Sequence, residues 1–140
     1  MAELAPDTPI LVGVGAIQQK AIDPGSAVEA VELMEQALRA ATGDAGCDAL
    51  LGRADEILVP KGIWSYSDPG RLLAQRLAVP SAHTVLAEIG VLQQTLITRA
   101  CQRIASGDAS VVLVAGAEAK YRDLLARKAG GEAAETEQSG

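Results

Sequence analysis

The sequence predicts an α/β fold with the element order βαβαβαβ, in which a mostly parallel sheet is flanked by helices. Short apolar runs bounded by Gly or Pro alternate with longer segments whose apolar residues recur every three or four positions. Phe is absent and aromatic residues make up 2% of the chain, although 49% of the residues are hydrophobic. Ala, Val and Leu must therefore fill the core, which favours close packing of helices on a sheet. The length of 140 residues suits one domain.

The first predicted strand spans residues 10–15, an apolar run that ends in Gly. Gly13 and Gly15 match the start of a dinucleotide-binding motif, but Gln18 stands at its third glycine position and no helix follows directly. We therefore favour a tight strand exit over a cofactor loop.

The first predicted helix opens at Ser26, an N-cap residue that forms a capping box with Glu29. Gly43 and Gly46 end it. Its acidic residues lie on or beside the polar side, so we interpret them as a solvated face rather than a catalytic carboxylate pair: Glu29, Glu32 and Glu35. The residues predicted to face the core are Ala27, Val31, Met34, Leu38 and Ala41.

Two further strands follow, with a short helical turn expected at residues 47–52 before them. Residues 54–60 form the second strand, which Pro60 ends, and residues 83–87 form the third. The helix between these strands begins after Pro69 and ends before Pro80. Its predicted inward residues are Leu72, Leu73 and Leu77.

The loop at residues 61–70 holds Trp64, the only tryptophan of the chain, and Tyr66. Aromatic residues concentrated in one loop of an aromatic-poor protein suggest a contact surface for a partner subunit or a ligand. Alternatively, Trp64 closes the edge of the core. Both interpretations stay open at this point.

A strand–helix–strand unit from Ala87 to Ala119 organises the rest of the chain. Gly90 lets the backbone turn after the third strand, and Gly107 with Asp108 ends the following helix. Residues 110–115 are uncharged and rich in β-branched residues, which is typical of a strand covered on both faces and parallel to its predecessor. The predicted apolar face of the helix comprises Leu92, Leu96, Ile97, Ala100, Cys101 and Ile104.

The C-terminal part of the chain is polar. Residues 120–128 predict a basic helical segment that lies over the sheet edge, and a basic patch for an anionic ligand is the alternative. Residues 129–140 are acidic and lack large apolar groups, so we expect a disordered tail.

Charge, hydropathy and cysteine spacing exclude several classes of protein. The formal net charge is −6, whereas nucleic-acid binding requires clustered Lys and Arg. No apolar run reaches the about 18 residues that a membrane span requires, and the N-terminus lacks a signal-peptide pattern. Cys47 and Cys101 have no spacing partner, so we expect reduced thiols in a cytoplasmic protein. His83 is the only histidine, and the sequence predicts no metal site.

The segment from Ile104 to Glu118 resembles a motif of the thiolase superfamily, I-x-x-G-x-x-D-V-x-x-x-A-G-x-E. The matching residues are Ile104, Gly107, Val111, Ala115, Gly116 and Glu118, and Ser110 replaces the usual Asp. The segments P-I-L-V-G-V-G and W-S-Y-S-D-P are similar to acetyl-CoA acetyltransferase-like proteins of the sterol-carrier-protein x type. The resemblance therefore implies a partial thiolase-like N-terminal domain at residues 1–128, followed by the tail at residues 129–140.

The resemblance implies acyl transfer from acyl-CoA without a cofactor, by a Cys at the start of the helix. That position falls here on Gly90 or Val91, so we expect no catalytic residue there. Cys101 is about 15 Å further along the helix and is expected to face the core. The family's second cysteine and its histidine motifs belong to a C-terminal half that this sequence lacks. We therefore predict that this polypeptide alone catalyses neither thiolysis nor condensation.

The resemblance also implies an open sheet edge, because the family's last strand of this half is absent from the sequence. In the family, the helix is enclosed by two sheets, whereas here its far side predicts contact with water through Thr98, Arg99, Gln102 and Arg103. We expect the chain to pair with a second copy, as a homo-oligomer, or with a companion thiolase-like chain.

Three functional hypotheses stay open. The first is a thiolase-like N-terminal piece of an acyl-CoA-handling acyltransferase of lipid metabolism, inactive alone. The second is a non-catalytic binding or scaffold subunit that pairs through its sheet edge and the loop of Trp64 and Tyr66. The third is an unrelated flavodoxin-like domain that binds a nucleotide at the carboxyl ends of its strands.

Overall fold

A three-stranded parallel sheet lies at the centre of the structure, a computed structural model that describes residues 3–20 and 23–139. The central strand β1 (Glu56–Pro60) pairs with β2 (His83–Ala87) on one side and with β3 (Val112–Val114) on the other. The α-helices are α1 (Ala30–Asp44), α2 (Pro69–Arg76), α3 (Gln93–Ala105) and α4 (Lys120–Lys128). Short 3-10 helices span Pro24–Ser26 and Asp48–Arg53. The predicted α/β class with a parallel sheet is confirmed.

One face of the sheet carries the main apolar core. Ile57 and Val59 of β1 point to this face and are fully buried beneath α1 and α2, since alternate strand residues share a face. α2 begins where the Asp68 carboxylate accepts the backbone N–H of Arg71 at 2.9 Å, with Pro69 at the first helical position. The residues that were predicted to face inward from this helix and its end are buried: Leu72, Leu73 and Leu77.

α3 covers the opposite face, and its orientation differs from the prediction. Arg99 donates from Nη2 to Oε1 of Glu56 at 2.7 Å, and Nε of Arg103 forms an ion pair with Oε2 at 3.5 Å. These arginines were expected to face water. They turn to the sheet because Glu56 is only 1% exposed, and a buried carboxylate requires nearby cations.

The predicted apolar face of α3 is therefore mostly outside the core. Leu96 is the one residue of this helix that is buried, whereas Ile97 is 47% exposed and Leu92, at its N-cap, is 68% exposed. The prediction that both faces of the last strand are covered is also wrong, because Val114 is 37% exposed. One helix is too narrow to cover this face of three strands.

The first predicted strand, residues 10–15, does not join the sheet. The segment crosses α1, where a Cβ on Gly13 would lie 2.1 Å from the carbonyl oxygen of Ala41. The backbone N–H of Val14 donates to Asp44 at 2.9 Å, and Leu11 is 84% exposed. β2 and β3 occupy both sides of β1, so an apolar run bounded by glycine finds no place beside the central strand. Its glycines permit close contact with a helix rather than a tight strand exit.

The predicted capping box at the first helix does not form. Ser26 lies in a 3-10 turn and its hydroxyl donates to the carbonyl of Asp23, so α1 begins four residues later at Ala30. Glu29 occupies the N-cap position without a side-chain cap bond. Its carboxylate instead accepts the hydroxyl proton of Tyr66 at 2.8 Å. A hydrogen bond from the Tyr66 hydroxyl, in the loop after β1, thus takes the place of the predicted capping box.

The predicted basic helix is present as α4, which lies beside the 3-10 turn before α1. Arg122 donates to the carbonyl of Ala27 at 3.2 Å, and Ala126 is buried. Residues 132–139 form no helix or strand, yet several of their side chains bond to the loop after β1. The domain limits at residues 128 and 129 stay a prediction. None of the helices described is long and apolar enough to cross a membrane.

Candidate functional site

Three loops meet at the carboxyl edge of the sheet. Residues 61–68 follow β1, residues 88–92 follow β2 and residues 115–119 follow β3, and all three strands are parallel. Ligands of open α/β sheets bind at this edge. We therefore describe the carboxyl edge as the candidate site.

The turn into α3 holds the position that the resemblance assigns to the nucleophile. Gly90 has a φ of +95°, which glycine adopts without strain, and the N–H of Val91 donates to the carbonyl of Glu88 at 3.1 Å. Ile89 is 69% exposed and Val91 is 38% exposed. The turn thus presents aliphatic side chains and no thiol or hydroxyl. The expectation that Gly90 and Val91 leave no catalytic residue here remains a prediction about activity.

The first turn of α3 could nevertheless polarise a bound group. Leu92 occupies the N-cap and has no side chain that bonds the first backbone N–H groups. Such free N–H groups stabilise negative charge and lower the pKa of a thiol placed beside them. Cys101 lies further along the same helix, about 12 Å from the first helical residue, Gln93, by the helical rise. It was expected to face the core, but it is exposed, because α3 turns its arginines to the sheet.

His83 does not complete a catalytic pair at this edge. It lies at the amino end of β2, opposite Glu56 in the register, and is exposed. The strand rise places it about 13 Å from Ala87, the last residue of β2 at the carboxyl edge. Across the described ranges, no group of His, Cys, Asp and Glu could hold a metal ion.

The A-G-x-E motif joins the loops after β1 and β3. The Glu118 carboxylate accepts the backbone N–H of Ile63 at 2.9 Å, and Trp64 donates from Nε1 to the carbonyl of Ala117 at 3.1 Å. A Cβ on Gly116 would lie 3.1 Å from Cγ of Pro60. In this chain the motif residues hold the edge of the sheet together.

Trp64 and Tyr66 are buried, at 6% and 3% exposure. Their ring centroids are 5.2 Å apart, and Nζ of Lys61 lies 4.2 Å from the centroid of the Trp64 ring. This burial favours the interpretation that Trp64 closes the edge of the core. A contact role for the loop stays a prediction. Because the two rings are buried, the backbone and the small polar residues of the loop would have to make such a contact.

Glu29 is a residue of this region whose surroundings differ from the prediction. It was interpreted as part of a solvated face, but its side chain is 13% exposed and touches three elements. Burial raises the pKa of Glu29, but hydrogen bonds from Thr136 and Tyr66 and the charge of Arg76 outweigh it, so the pKa is lowered. Burial, with a contribution from the Glu29 carboxylate, raises the pKa of Tyr66 well above its usual range. Glu35 also differs from the prediction, because its side chain is 18% exposed and pairs with Arg76 at 3.3 Å. Helical spacing alone does not reveal these contacts.

Comparison with known proteins identifies a structural relative. No family model matches the sequence, and no curated protein matches it. Among solved structures, the chain is similar to the crystal structure of a monomeric SCP2-thiolase like protein type 1 (STLP1) from Mycobacterium smegmatis. The sequence identity is 31% and the TM-score is 0.68 over 80% of this chain. The chain spans 24% of the length of that protein. The fold is therefore thiolase-like.

Proposed function

We propose that this chain is the N-terminal part of a thiolase-like acyltransferase that handles acyl-CoA, and that it does not transfer acyl groups by itself. The similarity to an SCP2-thiolase like protein at 31% identity supports the lineage. The aliphatic turn of Gly90 and Val91 carries the second part of the proposal, because neither residue accepts an acyl group. Its cellular place would be the cytoplasm, in lipid metabolism.

The other nucleophiles of the chain do not replace the missing one. Cys47 and Cys101 are exposed, and neither has a hydrogen-bond partner among the described residues that would activate its thiol. A catalytic thiol requires a base or a positive electrostatic environment within contact distance. His83 lies at the opposite end of β2 from the turn into α3.

A turnover assay tests this proposal. The purified chain is incubated with acetyl-CoA in the condensation direction and with acetoacetyl-CoA plus CoA in the thiolysis direction. We expect no turnover above the rate of the buffer. Turnover that Cys101→Ala abolishes while Cys47→Ala leaves it unchanged would contradict the proposal.

A second candidate function is a binding or scaffold subunit that pairs through the open edge of β3. Ala115 donates to the carbonyl of Leu58, so by alternation the peptide groups of Val112 and Val114 point away from β1. Among the described residues no strand pairs with that side of β3. Such an edge is a template for a strand of another chain. The occupant would be a second copy or a companion thiolase-like chain, although the structural relative is described as monomeric.

Sedimentation distinguishes this candidate from the first. The native chain at micromolar to hundred-micromolar concentration should show a concentration-dependent dimer. Val114→Lys and Val114→Pro at the edge should remove the dimer, whereas the same substitutions would leave a monomeric chain unchanged. A monomer over the whole range excludes self-pairing.

A further inference from the structure

The loop after β1 binds residues 135–138 of the same chain. The Glu135 carboxylate accepts the backbone N–H of Ser65 at 2.8 Å and also its hydroxyl proton. The side-chain amide of Gln138 donates to the carbonyl of Asp68 at 2.7 Å and accepts the N–H of the same residue at 2.9 Å. Both ends of the loop segment thus have complementary partners in the tail.

Glu29 binds the residue between these two contacts. The backbone N–H of Thr136 donates to Oε2 of Glu29 at 2.7 Å, and the Thr136 hydroxyl donates to Oε1. The same carboxylate accepts from Tyr66 at 2.8 Å and pairs with Arg76 at 3.4 Å. Because Tyr66 is buried and Arg76 belongs to α2, the folded core holds the receptor carboxylate in place.

A groove separates the loop from the tail between these bonds. It has a volume of about 310 Å³ and is lined by residues 65–67 on one wall and residues 135–138 on the other. Its walls are polar, and Glu137 is exposed and makes no side-chain bond among the described residues. The loop and residues 135–138 therefore contact each other through polar hydrogen bonds, as a protein contacts a bound peptide, and not through apolar core packing.

We propose that Glu29, Ser65 and Asp68 form a peptide-binding site for an acidic, polar segment of the pattern Glu-Thr-x-Gln, which residues 135–138 occupy in cis. The first position needs a carboxylate to meet two donors on Ser65. The second needs a hydroxyl and an N–H that donate to Glu29. The fourth needs an amide, because only a group that both donates and accepts matches the N–H and C=O of Asp68.

This site specifies the chemistry of a partner for the loop after β1, the loop that the binding-subunit hypothesis uses. Only the location of the site rests on that hypothesis. The site is independent of the open edge of β3. Loss of peptide binding would refute the site and leave strand pairing untouched, whereas a monomer in sedimentation would refute strand pairing and leave the site untouched.

Peptide titration tests the proposal on the full chain. A fluorescent peptide with the sequence of residues 131–139 is titrated into three proteins and followed by anisotropy. The triple variant Glu135→Ala/Thr136→Ala/Gln138→Ala frees the site, and Glu137→Ala is the matched control. We expect the peptide to bind the freed variant. The native chain and Glu137→Ala should bind more weakly, because the cis segment competes at an effective concentration on the order of 1 mM. The expected factor is this concentration divided by the Kd of the peptide for the freed variant, about tenfold for a Kd of about 0.1 mM.

A peptide in which glutamate replaces the glutamine of the fourth position should not bind the freed variant, since its carboxylate cannot donate to the Asp68 carbonyl. Equal binding to all three proteins, or no binding to the freed variant, would overturn the proposal. Amide exchange on the unmodified chain provides a test without substitution. The N–H groups of Ser65, Asp68 and Thr136 should exchange slowly, and exchange at the rate of an unstructured peptide would also overturn it.

Discussion

The ion cluster between β1 and α3 predicts that removal of its carboxylate and removal of its two arginines lower the free energy of unfolding by unequal amounts. Glu56 is 1% exposed, whereas the Arg99 and Arg103 side chains are 42% and 36% exposed. In Arg99→Met/Arg103→Met the carboxylate remains in the sheet without a cation. In Glu56→Leu the arginine head groups can still reach water along their exposed stems.

The asymmetry sets the expected magnitudes. Loss of the partners of a buried charge costs about 3 kcal/mol or more, because the charge keeps its desolvation penalty. Replacement of Glu56 by Leu removes that penalty and adds apolar area, so we expect a cost below about 1 kcal/mol. A domain of this size is stable by about 5–15 kcal/mol, so both variants should stay folded.

Urea unfolding followed by the fluorescence of Trp64 measures both values. The arginine variant should shift the midpoint downward by about 1.5 M for an m-value of about 2 kcal/mol/M, and Glu56→Leu by less than about 0.5 M. The triple variant that removes all three charges should recover most of the loss. A larger cost for Glu56→Leu than for the arginine variant would mean that α3 does not turn its arginines to the sheet.

Three further predictions concern the turn into α3 and two backbone positions. Val91→Cys places a thiol at the N-terminus of α3, where the helix lowers its pKa. Stabilisation of the thiolate by about 0.3–1 kcal/mol should make its alkylation at pH 7 about two- to fivefold faster than that of Cys101. Equal alkylation rates would show that the first turn of α3 does not stabilise negative charge. Gly107→Ala should destabilise the chain by about 1 kcal/mol because φ is +76°, whereas Gly43→Ala, in a helix with equally open space, should not; chemical unfolding distinguishes them. Hydrogen bonds from two backbone N–H groups lower the pKa of Asp55, so its stabilising effect is present above its unfolded pKa near 3.8 and is lost as pH falls below that value. Asp55→Asn should therefore cost no more than about 1 kcal/mol at pH 7, because solvent screens this exposed carboxylate, and less as the pH falls from 3.8 through the lowered pKa; a pH-independent cost would contradict this.

The elements with strong local signals were predictable. β2 has the predicted limits, β1 differs by two residues at its start, and α2 follows from its Pro and three buried leucines. In each case the apolar run or the helix start is encoded within the element itself. The parallel pairing also follows, because the helices between the strands are long enough for crossovers.

The rotation of α3 and the path of residues 10–15 could not be predicted from the elements alone. The spacing of Ile97, Cys101 and Ile104 indicates an apolar stripe, but the sheet decides which stripe is covered. Glu56, an acidic residue within a buried strand, was the available signal, since a buried carboxylate requires a cation from its neighbour. Residues 10–15 have the composition of a strand, and composition does not specify a pairing partner.

The contacts of the carboxyl edge were partly predictable. The resemblance located the turn at Gly90 and Val91, and in the structure these residues directly precede the N-cap of α3. The tail contacts of Glu29, Ser65 and Asp68 join residues that are 70 or more positions apart, and they have no sequence signature.

Intact-mass spectrometry after incubation with acetyl-CoA tests most directly whether this polypeptide can accept an acyl group. Cys47 is the internal control, because it is an exposed thiol outside the candidate site. We predict that the chain stays unmodified apart from slow labelling of Cys47 and Cys101 at similar rates. A thioester adduct that forms rapidly at one residue of the folded chain, and does not form when the chain is unfolded in urea before the incubation, would contradict the account.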